Sequence, residues 1–400
     1  MKPTLQVGKL YRLLLLFAIA ELVLCGSGQV LRLGGGLTLR MLNYLCIFGF
    51  YMLFVIYGHF KMTRQDWLVF VSYLLTTLFA AGCCLINGNA NRLVEDIKPL
   101  SYFLVFPFFL IAINSCATIR KISSILKYGA LIMSAVYLVY LAAIKLLGLV
   151  DYVAFYGSMA EESDFMFRDE GGELFYKGFL FLPIGLLFWI REKKYLAAGI
   201  ILVAIYFTLT RGFYIMALLG IGCYIFYRSK KNLPTLFFWA VCGAAGLFII
   251  IASGLFDMGG ARSDGDLLRI ITFDQVVERI TPLSTLIGHG FGAGVPIREI
   301  HMENAFLEIF HKQGLLGLAF WFLLLYCIRF YSKRAVIHKD IARLYWIGVL
   351  MVYVQSLFNP FINNPIGMSF VIIGYACCRY LSRPDPTSDS VPLPVQSIRS

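Results

Sequence analysis

Charge is scarce in this sequence. Asp, Glu, Lys and Arg make up 14% of its 400 residues, against roughly 25% in an ordinary soluble domain. So little polar surface cannot cover a globule in water, which excludes a string of soluble domains. Thiol pairing motifs are missing too. The ten cysteines (Cys25, Cys46, Cys83, Cys84, Cys116, Cys223, Cys242, Cys327, Cys377 and Cys378) form no CxxC and lie in apolar runs or at their ends, which argues against a disulfide framework or a zinc site. The two-residue alternation of barrel strands is absent. No convincing small-x-small cleavage site follows the first apolar run, and eleven further spans do, so Lys2, Lys9, Arg12 and the leucines after them read as an uncleaved first helix.

What the chain has instead is apolarity. Hydrophobic residues make up 59% of it and the mean hydropathy is +0.76. Lipid offers no hydrogen-bond partners, so repeated apolar runs must span as helices. The expected fold is all-α, a polytopic integral membrane protein of about twelve spans. These are Leu13–Leu31, Leu42–Phe60, Trp67–Leu85, Leu100–Ala117, Tyr128–Leu149, Leu174–Ile190, Tyr195–Leu209, Phe213–Tyr227, Leu233–Phe256, Ala305–Phe330, Leu344–Phe358 and Ile366–Leu381. A single helix over Tyr195–Tyr227 would run to roughly 50 Å, too long for one span, so Arg211-Gly212 marks a turn between two. Residues 1–382 form one membrane domain with a large outer loop at 257–304. The tail 383–400, rich in Pro and Ser, is expected to be disordered.

The net charge of +12 could suggest nucleic acid, but its distribution records orientation. With the N-terminus in the cytoplasm, the short inner segments hold the larger share of the 35 Lys and Arg residues. Among them are Arg120, Lys121 and Lys127, then Arg191, Lys193 and Lys194, then Arg329, Lys333, Arg334, Lys339 and Arg343. Both termini then lie inside. Glu21 and Lys145 fall within apolar spans and must face protein or water.

The outer loop 257–304 departs from this bias, carrying Arg262, Arg269, Arg279, Arg298, His289 and His301. Ser263-Asp264-Gly265-Asp266 offers an N-cap and an acidic first turn. Leu267, Leu268, Ile271, Val276 and Ile280 follow, up to Pro282, which predicts an amphipathic helix on the membrane surface with Arg269, Thr272 and Arg279 on its polar side. The plain alternative is that these arginines meet lipid headgroups. The Asp264-Gly265-Asp266 triplet matches a metal-holding DxD, but helix capping explains it as well. His289, His301, His311 and Glu303 are spaced unlike any usual zinc site. Glu308 and Lys312, four apart, read as a mutually neutralising pair.

Gly288-His289-Gly290-Phe291-Gly292 allows either a sharp turn or close approach of backbone to an anion. Asn304, nine further residues, then Gly314-x-x-Gly317, together with this glycine run and Thr210-Arg211-Gly212, resemble motifs of the O-antigen polymerase and ligase superfamily. Arg269 resembles the arginine that opens that superfamily's outer-loop helix. A His usually precedes the Asn there; this chain has Glu303, with His301 two residues earlier.

The resemblance implies glycosyl transfer on the periplasmic face of the bacterial inner membrane, without cofactor. The growing glycan would leave an undecaprenyl diphosphate carrier for an incoming lipid-linked repeat unit. A chain-length regulator and a flippase would be partners, and nucleic acid would not. The departing diphosphate needs fixed cations, for which Arg211 and Arg269 lead, with Arg279 and Arg262 behind. His301 or Glu303 would serve as base, with Asn304, Gly290, Gly292 and His289 in support; no residue is assigned to a metal. A ligase acting on lipid A core, or a flippase, would share most of these features. Glu303 in place of His favours a polymerase.

Overall fold

A computed structural model of the chain describes residues 3–26, 28, 32–34, 37–56, 62–149, 151, 165–167, 173–229 and 261–383. For 3–9, 32–34, 54, 167, 261–264 and 266 it describes the backbone alone. The helices are α1 (Pro3–Leu24), α2 (Leu39–Ile56), α3 (Arg64–Ile86), α4 (Leu93–Leu100), α5 (Phe106–Ala112), α6 (Cys116–Lys145), α7 (Phe181–Arg191), α8 (Tyr195–Phe207), α9 (Arg211–Arg228), α10 (Ala261–Glu278), α11 (Pro282–Ile287), α12 (Ala305–Arg334), α13 (Lys339–Gln355) and α14 (Pro365–Leu381). Two short antiparallel hairpins join them, β1 (Arg32–Gly34) with β2 (Leu37–Thr38), and β3 (Phe165–Phe167) with β4 (Leu174–Tyr176).

Among the described residues, three helices, α3, α6 and α12, are long and apolar enough to cross a membrane, and shorter apolar helices cover Leu39–Leu53, Tyr195–Phe207 and Pro365–Leu381. The outward faces of α3 and α6 expose Leu75, Leu78, Phe79, Val136 and Val139; apolar faces of this breadth suit hydrocarbon, not water. α7 and α14 are the interior pillars. Phe181 to Trp189 and Ile366 to Leu381 are buried throughout, with α6 and α9 packed on α7, and α12 and α13 on α14.

Among the described residues, Ala305–Phe330 is kinked at Gly314 and two further expected spans are not single helices. Leu100–Ala117 is broken into a 3-10 turn (Ser101–Val105) and the short α5. Pro107 stands in the first turn of α5, where its missing N–H costs nothing, whereas deeper in a continuous helix it would break the ladder. Leu174–Ile190 begins as β4 and a 3-10 turn before α7. Leu233–Phe256 and most of the tail 383–400 lie outside the described residues. The expected turn at Arg211 is present. α8 stops at Phe207, Leu209 takes φ 47°, and α9 restarts at Arg211.

Charges inside the bundle have partners. Glu21 receives two hydrogen bonds of 3.0 Å from Arg40, and Lys145 meets Glu173. Asp66, fully buried, caps α3 through Thr63, accepts from the Tyr375 hydroxyl at 2.9 Å and pairs with Arg379 at 2.7 Å. The cysteines among the described residues are free thiols.

Candidate functional site

The polar residues of interest gather where several helices end together. The N-termini of α9, α12 and α14 and the C-termini of α3, α4 and α13 meet the segment 279–304 at one end of the bundle. Here lies an open cavity of about 890 Å³. Arg211 and Gly212 at the start of α9, Arg269 on α10, and Arg298, His301 and Glu303 from the segment before α12 line it, over a floor that includes Phe358, Asn359 and Asn363. α10 forms a wall. Gly265 and Arg269 face the cavity, Thr272 and Val276 are buried, and Leu267, Ile270, Phe273 and Val277 are exposed on the far side. The amphipathic helix expected there thus exists, with Thr272 buried rather than on a polar surface.

Glu303 is gripped from two sides. Arg269 Nε donates to its Oε2 at 2.5 Å and Arg298 Nη2 to its Oε1 at 2.7 Å. Both carboxylate oxygens are engaged, so Glu303 aligns two guanidinium groups along the cavity wall. Arg211 stands across from them at the first position of α9. Gly212 beside it packs so closely on Gln355 that a Cβ would lie 2.2 Å from the amide oxygen.

A second, buried network adjoins this wall. Lys312 Nζ donates to Asp96 Oδ1 at 2.7 Å, to Glu308 Oε1 at 2.6 Å and to the Ile300 carbonyl at 2.5 Å. Asn363 Nδ2 donates to Glu308 Oε2 at 2.8 Å. His301 Nδ1 lies 3.1 Å from Glu308 Oε1 and 3.7 Å from Asp96 Oδ1. Two carboxylates against one ammonium leave an excess of negative charge beside the imidazole. The hydrogen bond to Glu308 accordingly raises the His301 pKa above its usual 6.5, against the opposing effect of burial. Asp96, His301 and Glu308 could together surround a cation, but the Lys312 ammonium already bridges both carboxylates, so a metal ion would have to displace it.

The glycine run explains how this network is held. α12 is kinked at Gly314, whose φ of 63° and ψ of −160° are non-helical, and the carbonyls of His311 and Lys312 in the preceding turn accept from His289 N and Gly290 N at 2.8 and 3.0 Å. Gly292, at φ 73°, donates its N–H to Asp96 Oδ2 at 2.7 Å. The run is a strap tying α12 to α4 and α3. The positive φ and the tight packing account for Gly290 and Gly292 without any bound anion.

Not every expected residue joins the cavity. Arg279 and His289 line a different one, with His311. Arg279 follows directly on the end of α10, and its Nη1 donates to the Gly294 carbonyl at 2.7 Å. Asn304 caps α12, its Oδ1 accepting from Phe306 N and Leu307 N at 2.9 and 3.1 Å. The side chains of Arg262, Asp264 and Asp266 lie outside the described ones. Sequence reasoning missed Asp96 and Asn363; the Glu308–Lys312 pair it expected at the helix entrance is present, but is buried and shared with Asp96. One signal was available for the pair, two opposite charges within an otherwise apolar helix.

The helical bundle and its exposed apolar faces define a multi-pass membrane protein. No family model matches the chain. It is similar to an O-antigen polymerase of Shigella flexneri, with 27% identity over 374 residues, 92% of this chain and 94% of that protein. The likeness first read from a few motifs to the O-antigen polymerase superfamily thus runs along almost the whole length.

Proposed function

We propose that this protein is a surface-polysaccharide polymerase of the O-antigen type. It moves a growing glycan from undecaprenyl diphosphate to an incoming lipid-linked repeat unit at the periplasmic face of the inner membrane, with both termini in the cytoplasm. The observation that carries the reading is the convergence of Arg211, Arg269 and Arg298 on one cavity beside His301, supported by the full-length likeness to an O-antigen polymerase. Sidedness is supported by the basic opposite end of the bundle, where Lys127 pairs with Glu192, Arg191 with Asp340, and Arg329 lies over Tyr227 and Trp346.

In this mechanism the bond between the anomeric carbon and the carrier's diphosphate oxygen breaks as an acceptor hydroxyl attacks that carbon. The leaving diphosphate gains charge, which the guanidinium groups stabilise in a setting organised beforehand. The hydroxyl proton passes to His301. Its Nδ1–H is held by the Glu308 carboxylate, leaving Nε2 as the base, and the excess negative charge of Asp96 and Glu308 over Lys312 stabilises the imidazolium. Glu303 aligns Arg269 and Arg298 instead of taking the proton. The reaction needs no metal in this scheme, and a chain-length regulator and a flippase act alongside. Purified protein supplied with lipid-linked repeat units is expected to lengthen them; units left single, with folded protein present, contradict the reading.

A further inference from the structure

A second polar cavity, of about 480 Å³, lies on the other side of the glycine strap. Asn87, Asn89, Arg92, Arg279, His289 and His311 line it, and it shares no lining residue with the large cavity. Its volume falls within the roughly 300–1,000 Å³ typical of small-ligand sites. A crevice between loops at helix ends could simply be wet. Against that, His311 lines the cavity at 3% exposure, and its Nε2 makes no hydrogen bond among the described residues, although the Gly294 backbone approaches the ring. The neighbouring His289 ring stands 4.6 Å away, centroid to centroid.

The lining defines what fits. Amides, guanidinium groups and imidazoles dominate, and no large aliphatic side chain other than Val295 contributes, so an acyl chain finds nothing to bury against. Both arginines already carry an acceptor. Arg92 Nη2 donates to Glu299 Oε2 at 2.7 Å, and Arg279 Nη1 donates to the Gly294 carbonyl at 2.7 Å. Their charge is partly answered, which favours a hydroxyl-rich ligand over a phosphate. Burial also lowers the His289 pKa below its usual 6.5, so its ring is neutral at pH 7 and offers one donor and one acceptor, the pattern that vicinal hydroxyls match.

We propose that this cavity is a carbohydrate subsite that holds a sugar of the glycan away from the reacting bond. The strap makes the placement useful. Gly292 lines the subsite and donates to Asp96, and His311 lines it while the next residue, Lys312, holds Asp96 and Glu308. A saccharide seated here therefore rests on the same backbone that positions the buried network. The identity of the ligand as glycan rests on the polymerase reading; the cavity and its chemistry do not.

The test uses the full chain in nanodiscs, with Arg279→Ala and Asn89→Ala as variants at the cavity wall and thermal unfolding as the check on folding. The probe is the repeat-unit oligosaccharide released from its lipid, followed by saturation-transfer NMR, with inorganic pyrophosphate as competitor. The expected result is oligosaccharide binding weakened about fivefold or more in each variant, as for loss of a net hydrogen bond, and not displaced by pyrophosphate. In elongation assays KM for the repeat unit rises in both variants while kcat holds. Unaltered oligosaccharide binding in folded Arg279→Ala and Asn89→Ala overturns the subsite, as does displacement by pyrophosphate. A protein that binds the sugar through these residues but never lengthens a lipid-linked unit keeps the subsite and removes the polymerase reading.

Discussion

Two ionic networks face each other across the wall of the large cavity, and they are built differently. Asp96, Glu308 and Lys312 have side chains 3–5% exposed, each locked by at least two hydrogen bonds. Arg269, Arg298 and Glu303 are 32–45% exposed at the cavity surface. In the first network a lost partner is costly, because a buried charge without its partner is left uncompensated. In the second it costs less. Solvent screens its pairs, so each is worth little to stability, and in the proposed function an incoming phosphate takes over the guanidinium groups from Glu303. One network is a mount and the other a clamp. His301 stands between them, anchored to the mount and open to the cavity.

The sharpest way to break this comparison is to remove the centre of the mount. Lys312→Met should destabilise the protein by about 3–5 kcal/mol, seen as a lower unfolding temperature in detergent, with part of that recovered when Asp96→Asn is added. An equal loss from Arg298→Ala would erase the distinction. Removing clamp residues should instead cost chemistry. Arg211→Ala or Arg269→Ala should lower elongation about 10²–10³-fold at unchanged protein level and melting temperature, and full activity in both would remove them from the site. Smaller, but diagnostic, is the pH profile. A base with a raised pKa must lose its proton to act, so elongation should rise with pH through a midpoint above about 6.5. Glu308→Gln removes the group that raises this pKa, so the midpoint should move to lower pH. A midpoint unmoved by that change would detach His301 from Glu308. The smallest effect is expected for Glu303→Gln. An aligning residue should cost less than about tenfold in rate, whereas His301→Ala, removing the base, should cost about 10²–10⁴-fold.

Much of the architecture was legible because bilayer physics writes itself into composition. The turn at Arg211, the helix around Arg269 and the placement of basic residues at the opposite end follow from helix length, apolar spacing and charge asymmetry, although that helix begins at Ala261, before the Ser263 expected to cap it. The broken segment around Pro107 was not, since hydropathy averages over a window and is blind to where a backbone turns. In the site, Arg211, Arg269 and His301 could be singled out because cations and imidazoles are rare in an apolar chain. Asp96 could not. It sits among ordinary acidic neighbours, and its role appears only when the glycine strap carries Gly292 across to it. Glu303 was visible, but its partners across 34 and 5 residues were not, so its engagement by two arginines required the folded chain.

The central claim is that the large cavity holds a lipid diphosphate in the clamp. A structure of the protein with undecaprenyl diphosphate in nanodiscs tests it most directly. The account predicts diphosphate density between Arg211, Arg269 and Arg298, with Glu303 released from at least one guanidinium and the Asp96–Lys312–Glu308 contacts unchanged. Diphosphate bound elsewhere, with Arg269 and Arg298 still closed on Glu303, would contradict it.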